Sequence, residues 1–311
     1  MLSTRGALLP GVATRQAPRS LYAERLARLR GEILLDEPLS RHTTIGVGGE
    51  AACLFYPEDP YDLASAIYLC RRFQRPYILL GGGSNLLFPD DGFSGIVIST
   101  DRLRGACFRG SGVQALAGEP LPALLSMVRQ EGTASLDFLA GIPGTVGGAV
   151  TMNAGIPDKA IGASVDEVGV FDPESGRSFS LSGRSCGFAY RSSRMAEEGL
   201  VVLWTRLRLD GESFDRERLL ARRRETQPTE RSAGCVFRNP PGASAGRLID
   251  AVGLKGTRMG GAVVSELHGN FIVNRGAATS AEIRSLIDTV RQKVYKSFRV
   301  WLELEIRVVQ G

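Results

Sequence analysis

The sequence predicts an α+β fold of about two domains, on three observations. The chain is 311 residues long, enough to bury a sizeable core. Apolar residues make up 43% and charged residues 23%, the balance of a globular protein. Helix-periodic and strand-like segments are mixed along it without the regular alternation of a doubly wound sheet. No stretch approaches the roughly 18 apolar residues of a membrane helix, so membrane insertion is not expected.

The first twenty residues, MLSTRGALLPGVATRQAPRS, hold arginine and no acid. They read as a disordered extension, with a transit-like peptide as the alternative. Leu21 to about Gly31 reads as a short basic helix. RHTTIGVGGEAACLFYP (41–57) gives a turn, glycines and a short apolar strand. DPYDLASAIYLCRRF has its apolar residues at helical spacing. YILL (77–80) is a short buried strand that runs into GGGSN (81–85), and GIVIST (95–100) is the next strand. LPALLSMVRQ (121–130) is helical by spacing, whereas GIPGTVGGAVTMNAG (141–155) holds too much glycine and proline for a regular helix. VDEVGVFDPESGRSFSLS (165–182) reads as a hairpin, and LVVLWTRLRL (200–209) as a strand. A boundary falls near Gly211. It makes 21–211 a first domain with lobes at 21–100 and 101–211, and 212–311 a second. The second opens on a charged helix, SFDRERLLARRRE (213–225), and another helix starts near Ser244. FIVN (271–274) is a strand, and Thr279 or Ser280 caps a long helix to about Lys296. VWLELEIRVV (300–309) closes the chain as a strand.

The net charge of +5 suits anionic small molecules. Nucleic acid is not expected, because there is no long Lys/Arg stripe with interleaved aromatics. The 5 cysteines, Cys53, Cys70, Cys107, Cys186 and Cys235, are odd in number and form no C-x-x-C pair. With only 2 histidines, His42 and His268, no metal site is expected. Scattered free cysteines point to a reducing compartment, hence a cytoplasmic location. A monomer is favoured.

Two glycine-rich loops carry the first chemical signal. Gly81, Gly82, Gly83, Ser84 and Asn85 directly follow an apolar strand. Glycine lets backbone N–H groups approach phosphate oxygens and take positive φ. The loop is neither a dinucleotide fingerprint nor a Walker loop, and a tight structural turn explains it equally well. The second loop holds Gly141, Gly144, Gly147, Gly148 and Gly155, with Thr145 and Asn153 as side-chain donors. Together the loops suit a clamp on a pyrophosphate, as a flavin dinucleotide requires.

LLGGGSNLL followed by AGIPGTVGGAVTMNAG resembles the UDP-N-acetylenolpyruvoylglucosamine reductase family. The likeness continues through FAYRSSR (188–194), SAGCVFRNP (232–240), AGRLIDAVGLKG (245–256), GGAVVSELHGNFIVN (260–274) and RVWLELEIRVV (299–309), and spans roughly Leu35 to the C-terminus. The resemblance implies a two-lobed FAD-binding domain of the vanillyl-alcohol-oxidase-like type, followed by an α+β substrate-binding domain. It also implies non-covalent FAD, NADPH as co-substrate and a UDP-sugar substrate, with the product used for peptidoglycan. The segment Arg-His-Thr-Thr around His42 is then part of the FAD pocket wall, and His42 is not an attachment point. No extra tyrosine-bearing loop is evident between Tyr190 and Cys235, which resembles the family's shorter subtype. After MNAG the chain runs IPDKAIG where many relatives have Ala-Tyr-Gly, so a differently shaped loop is expected there.

The family's reaction implies three catalytic groups. Arg191 matches the arginine that grips the substrate carboxylate, a task suited to a permanently charged fork. Cys235 stands where relatives most often have serine and is expected to be the proton donor. Alone it reads as a small buried apolar residue. A thiol is a far better acid than serine, provided it stays protonated in the resting protein. Glu305 matches the closing catalytic glutamate, with Glu303 two residues earlier on the same expected strand face. Asn239 and His268 are expected substrate contacts, and Tyr190 either lines the site or packs. Arg222, Arg223 and Arg224 either approach the UDP diphosphate or form a solvated helix face. Two other readings remain at this point: another flavin oxidoreductase of the same fold group, and a flavin-binding protein without catalysis.

Overall fold

In a computed structural model that describes residues 25–310, three sheets carry the chain. The expected N-terminal extension lies outside the described residues. So does the start of the basic helix expected over 21–31. Residues 25–26 are helical, the chain then turns, and β1 (Gly31–Pro38) begins. β1 is an edge strand with no fully buried face, and Leu35 is well exposed, so it carries no alternation to read.

β1 pairs antiparallel with β2 (Glu50–Pro57). β3 (Tyr77–Leu80) follows the helix α1 (Pro60–Arg72), and after the short β4 (Leu86–Leu87) comes β5 (Phe93–Ser99). β5 lies between β2 and β3, parallel to both, so the sheet order is β1-β2-β5-β3. Asp59 caps α1, accepting from the backbone N–H groups of Tyr61 and Asp62, and Pro60 suits the first turn. The helix buries Leu63, Ala66, Ile67 and Cys70 against Phe55, Ile96 and Ile98.

The second sheet is wholly antiparallel. Its strands are β6 (Ala106–Arg109), β7 (Gly112–Leu116), β10 (Val165–Asp172), β11 (Arg177–Ser182) and β12 (Val201–Arg208), in the order β11-β10-β12-β7-β6. The expected hairpin at 165–182 is β10–β11. α2 (Leu121–Gln130) covers this sheet through Leu121, Leu124, Leu125 and Val128.

One finding departs from expectation here. Within the glycine-rich stretch Val146–Thr151 forms a short helix, α3, capped by Thr145. Small residues are what let it approach β7's end: a Cβ on Gly147 would sit 2.8 Å from the Ala117 Cβ. The IPDK segment that follows is a tight hairpin of β8 (Gly155–Ile156) and β9 (Lys159–Ala160).

After α4 (Arg194–Glu198) and β12 come the charged helix α5 (Arg216–Thr226) and the third sheet. Its strands are β13 (Ser232–Cys235), β14 (Arg258–Met259), β15 (Ala262–Val264) and β16 (Phe271–Asn274), ordered β13-β16-β15-β14 and all antiparallel. α6 (Ala245–Ala251) and α7 (Ser280–Phe298) pack on it through Ile249, Ile283, Leu286 and Val290. That core also takes Ile45, Val47 and Leu87 from the first lobe, so the C-terminal region is packed onto the N-terminal one.

The strand expected over 300–309 is not one strand. Its backbone serves two partners in turn. Arg238 N–H donates to Glu303 O at 2.9 Å and Glu305 N–H to Val236 O at 2.8 Å; then Arg307 and Val309 bond to residues 85 and 87. Only β17 (Arg307–Val308) is regular, parallel to β4. The buried positions are Leu302, Ile306 and Val309, which is not a period of two.

Thr279 accepts from Glu282 N–H while Glu282 reaches back to the cap, a full capping box for α7. Thr279→Ala is expected to cost about 1 kcal/mol, read as a lower midpoint in chemical denaturation.

Candidate active site

The two glycine loops meet. A Cβ on Gly82 would lie 2.8 Å from the Gly144 Cα, and one on Gly81 would lie 2.9 Å from the Thr145 Oγ1. Ser84 Oγ donates to Pro143 O at 3.4 Å. Gly83 has φ 64°, and any side chain there would strike the His42 carbonyl. The result is one continuous wall of backbone, which opens onto a cavity of about 1770 Å³. A site for one drug-sized ligand is roughly 300–1,000 Å³, so there is room for a flavin dinucleotide and a second ligand together. Gly148 is helical yet exposed to this cavity, and a Cβ there would meet only Thr145 Oγ1, at 3.6 Å. Backbone bared in this way fits a flavin dinucleotide, and among the described residues no cluster of metal-ligating side chains stands near it.

Gly81, Gly82, Gly83, Ser84, Asn85, Gly141, Gly144, Thr145, Gly147, Gly148 and Gly155 all line the cavity. Asn153 does not, and its side chain is engaged elsewhere. Its Nδ2 donates to Ala189 O at 2.8 Å, and its Oδ1 accepts from Gly162 N–H at 3.0 Å. Thr145 Oγ1 accepts from Gly148 N–H at 3.4 Å as the cap of α3, which leaves its O–H free to donate at the cavity wall. Of the two, only Asn153 has its side chain committed away from the cavity. Asn85 Nδ2 donates to the Glu305 carbonyl at 3.2 Å and so ties the first loop to the C-terminal segment. The His42 ring faces Glu37 and Tyr56, so that wall is lined by Thr44.

Arg191, Cys235 and Glu305 come together in this cavity. Arg191 sits in a two-residue turn closed by mutual backbone bonds between Ala189 and Ser192. Its φ of 51° is the left-handed region, which is strained for a non-glycine residue. Asn153 holds the turn at Ala189, and Ser193 Oγ holds it at Thr151 O, 2.7 Å away. Arg191 Nε donates to Glu305 Oε1 at 2.7 Å. The Glu305 pKa is raised, chiefly by burial, against the pull of Arg191 and Arg238.

The Cys235 thiol is pushed up to about 12, first by burial and then by Glu305. Arg191, Arg223 and a hydrogen bond from Asn270 act in the opposite direction and do not win. The group is therefore a neutral thiol near pH 7, the state a proton donor needs. Asn270 also brackets Phe237, accepting its N–H at 2.9 Å and donating to its carbonyl at 2.8 Å, which fixes the segment after Cys235.

His268 lines the cavity, and burial keeps its pKa low. Its Nδ1 accepts from Asn270 N–H at 3.2 Å, so Nε2 carries the ring proton. Tyr190 and Asn239 stand outside the lining. The Tyr190 hydroxyl accepts from Asn239 N–H at 3.3 Å, and the Arg191 guanidinium lies over the tyrosine ring, 5.4 Å from its centroid. Asn239 Oδ1 accepts from Ala245 N–H at 3.0 Å at the start of α6. Of the arginine triple, Arg222 and Arg223 line the cavity and Arg224 does not. Glu303 is exposed and lies off the cavity wall. Arg238, Asn270 and Ser193 escaped the sequence reading. The first two lie inside the SAGCVFRNP and HGNFIVN motifs, where only the chain's path reveals their targets.

Residues 51–182 match the family profile "FAD binding domain", and residues 227–309 match "UDP-N-acetylenolpyruvoylglucosamine reductase, C-terminal domain". A UDP-N-acetylenolpyruvoylglucosamine reductase from Moorella thermoacetica is 46% identical over 294 residues, covering 93% of this chain and 97% of that protein. The chain belongs to the UDP-N-acetylenolpyruvoylglucosamine reductase family. Another relative, from Heliobacterium modesticaldum, is 43% identical over 293 residues, covering 90% of this chain and 91% of that one. The crystal structure of UDP-N-acetylenolpyruvylglucosamine reductase from Thermus caldophilus aligns with a TM-score of 0.73 at 38% identity, over 91% of this chain and 100% of that one. The resemblance of the motifs is thereby borne out, and with it an FAD-binding domain joined to a C-terminal domain of this family.

Gly148→Ala separates a structural glycine from one that gives a ligand access. A helical Gly→Ala change favours the fold by up to about 1 kcal/mol. Unfolding of the flavin-free protein should be unchanged or later, while FAD affinity falls by about tenfold, roughly 1.4 kcal/mol. Calorimetry of the variant measures both.

Proposed function

We propose that the protein reduces the enolpyruvyl ether of UDP-N-acetylglucosamine-enolpyruvate to UDP-N-acetylmuramate, using FAD and NADPH, in peptidoglycan precursor synthesis in the cytoplasm. The observation that carries this reading is the convergence of Arg191, Cys235 and Glu305 on a cavity walled by glycine backbone. FAD, held by the backbone of residues 81–83 and 141–148, would supply hydride transfer between NADPH and the terminal methylene carbon of the substrate. NADPH and substrate use the cavity in turn.

The protein's own residues then manage charge and one proton. Arg191 has Nη donors beyond the Nε held by Glu305, and these grip the substrate carboxylate. As negative charge grows next to that carboxylate, the guanidinium stabilises it in a partly desolvated site. The arriving carboxylate pushes the already raised Glu305 further up, so Glu305 takes a proton from solvent as the substrate binds and donates a hydrogen bond to the enolate. Cys235 delivers its Sγ proton to the carbon beside the carboxylate, because a thiol even at about 12 is far more acidic than that carbon. The thiolate left behind meets Arg191, Arg223 and Asn270, the three groups that favour it. Arg222 and Arg223 are the proposed partners of the diphosphate. Arg223 is half-buried with its pKa lowered mainly by desolvation, and Gln227 is its hydrogen-bond partner.

Anaerobic spectra of the bound flavin test the reading. NADPH should bleach it, and the enolpyruvyl UDP-sugar should restore the oxidised spectrum. In Cys235→Ala the bleaching should persist while restoration slows by about 10²-fold or more. Cys235→Ser should recover part of the rate. Bleaching with no recovery on adding the sugar to wild-type protein overturns the substrate assignment in favour of another flavin oxidoreductase.

A further inference from the structure

Arg238 occupies a position that the three proposed catalytic groups leave unexplained. It lies three residues beyond Cys235 and lines the same cavity. Its Nη2 donates to the Arg191 carbonyl at 3.3 Å, so it touches the backbone of the strained turn that presents Arg191. Its own backbone is pinned by the bond from Arg238 N–H to Glu303 O, at 2.9 Å. Its Nε is buried and has no hydrogen-bond partner. A buried N–H without an acceptor is costly, and a native fold keeps one where another requirement overrides the cost.

The charges around Glu305 supply that requirement. Glu305 is faced by Arg191 from the turn before α4, by Arg238 from the segment after β13, and by the Cys235 thiol from β13. Arg223 on α5 faces Cys235 and Arg191. Among the described residues, Arg191 and Arg238 are therefore the two cations that bear on this carboxyl. As a ligand carboxylate arrives, Arg191 is shared with it, and its hold on Glu305 weakens before Glu305 takes its proton. The second cation is already in place, with a donor to spare.

We propose that Arg238 is a positioning residue for the reaction: it braces the Arg191 turn and sets the charge of Glu305 while Arg191 engages the ligand. This rests on the reading of Arg191 and Glu305 given above. Removing a cation beside a carboxyl raises its pKa, so the pH limb that belongs to Glu305 must move upward when Arg238 loses its charge.

The test is the pH dependence of single-turnover flavin reoxidation by the enolpyruvyl UDP-sugar, in holoenzyme pre-reduced with NADPH. The limb belonging to Glu305 is the one lost in Glu305→Gln. In Arg238→Met that limb should move up by about one pH unit, with the plateau rate reduced about tenfold. Arg238→Lys keeps the charge and should restore the limb's position but not the whole rate, since an ammonium lacks the fork that reaches the Arg191 carbonyl. If the Met variant loses its flavin, Arg238→Gln is read by the same criterion. A limb at the wild-type position in an uncharged variant that retains flavin overturns the assignment of Arg238. Failure of wild-type protein to be reoxidised by the sugar overturns instead the reading on which it rests.

Discussion

The ion pair between Arg191 and Glu305 is the contact on which the site depends. It joins side chains 114 residues apart in sequence, one from a turn of the second sheet's lobe and one from the last segment of the chain. Both partners are largely withdrawn from solvent, at 24% and 15% exposure. Removing either partner is costly, up to about 3–5 kcal/mol where a pair is fully buried. Each end is held by backbone-directed bonds. Asn153 and Ser193 fix the Arg191 turn, while Asn85 and Val236 fix the Glu305 backbone. The glycine-rich helix α3, through Thr151 and the neighbouring Asn153, therefore connects the cavity wall to the arginine.

Burial first, and then the same pair, set the state of Cys235. Glu305 adds to the burial that keeps the thiol protonated, and Arg191 opposes it. Arginines draw a cysteine towards thiolate, and here burial first, then Glu305, outweighs them. Cys235 therefore remains an acid. In the proposed reaction the balance tips as the carboxyl is neutralised, because the resulting thiolate then meets mainly cations. One ion pair thus holds Arg191 in place and, after burial, helps keep the proton on sulfur.

How much of this was legible in the sequence varies by residue. The cavity wall was legible because backbone exposure requires glycine, and glycine shows in the sequence. The α7 cap at Thr279 and the strand at 271–274 were equally plain, since capping and apolar runs are local signals. Thr145 and Asn153 were legible as polar residues beside the loops. Whether an amide faces a ligand or a distant carbonyl depends on where Ala189 lies, and no local pattern carries that. The 300–309 segment misled for a related reason. Its apolar residues suggest a strand, yet its backbone changes partner midway. Arg238 was hidden because its significance comes from the Arg191 carbonyl, 47 residues away. Side chains that serve long-range contacts are read from the fold.

Arg191 and Glu305 are proposed to act as one unit across the two parts of the chain. A double-mutant cycle of Arg191→Met and Glu305→Gln tests it most directly, measured on the rate of flavin reoxidation by the enolpyruvyl UDP-sugar. Coupled residues show interaction energies of about 0.5–3 kcal/mol, whereas independent ones add. The double variant should be little slower than the worse single variant, a coupling near the upper end of that range. Additive losses in variants that retain flavin would mean that the two side chains work separately, and would contradict the coupling.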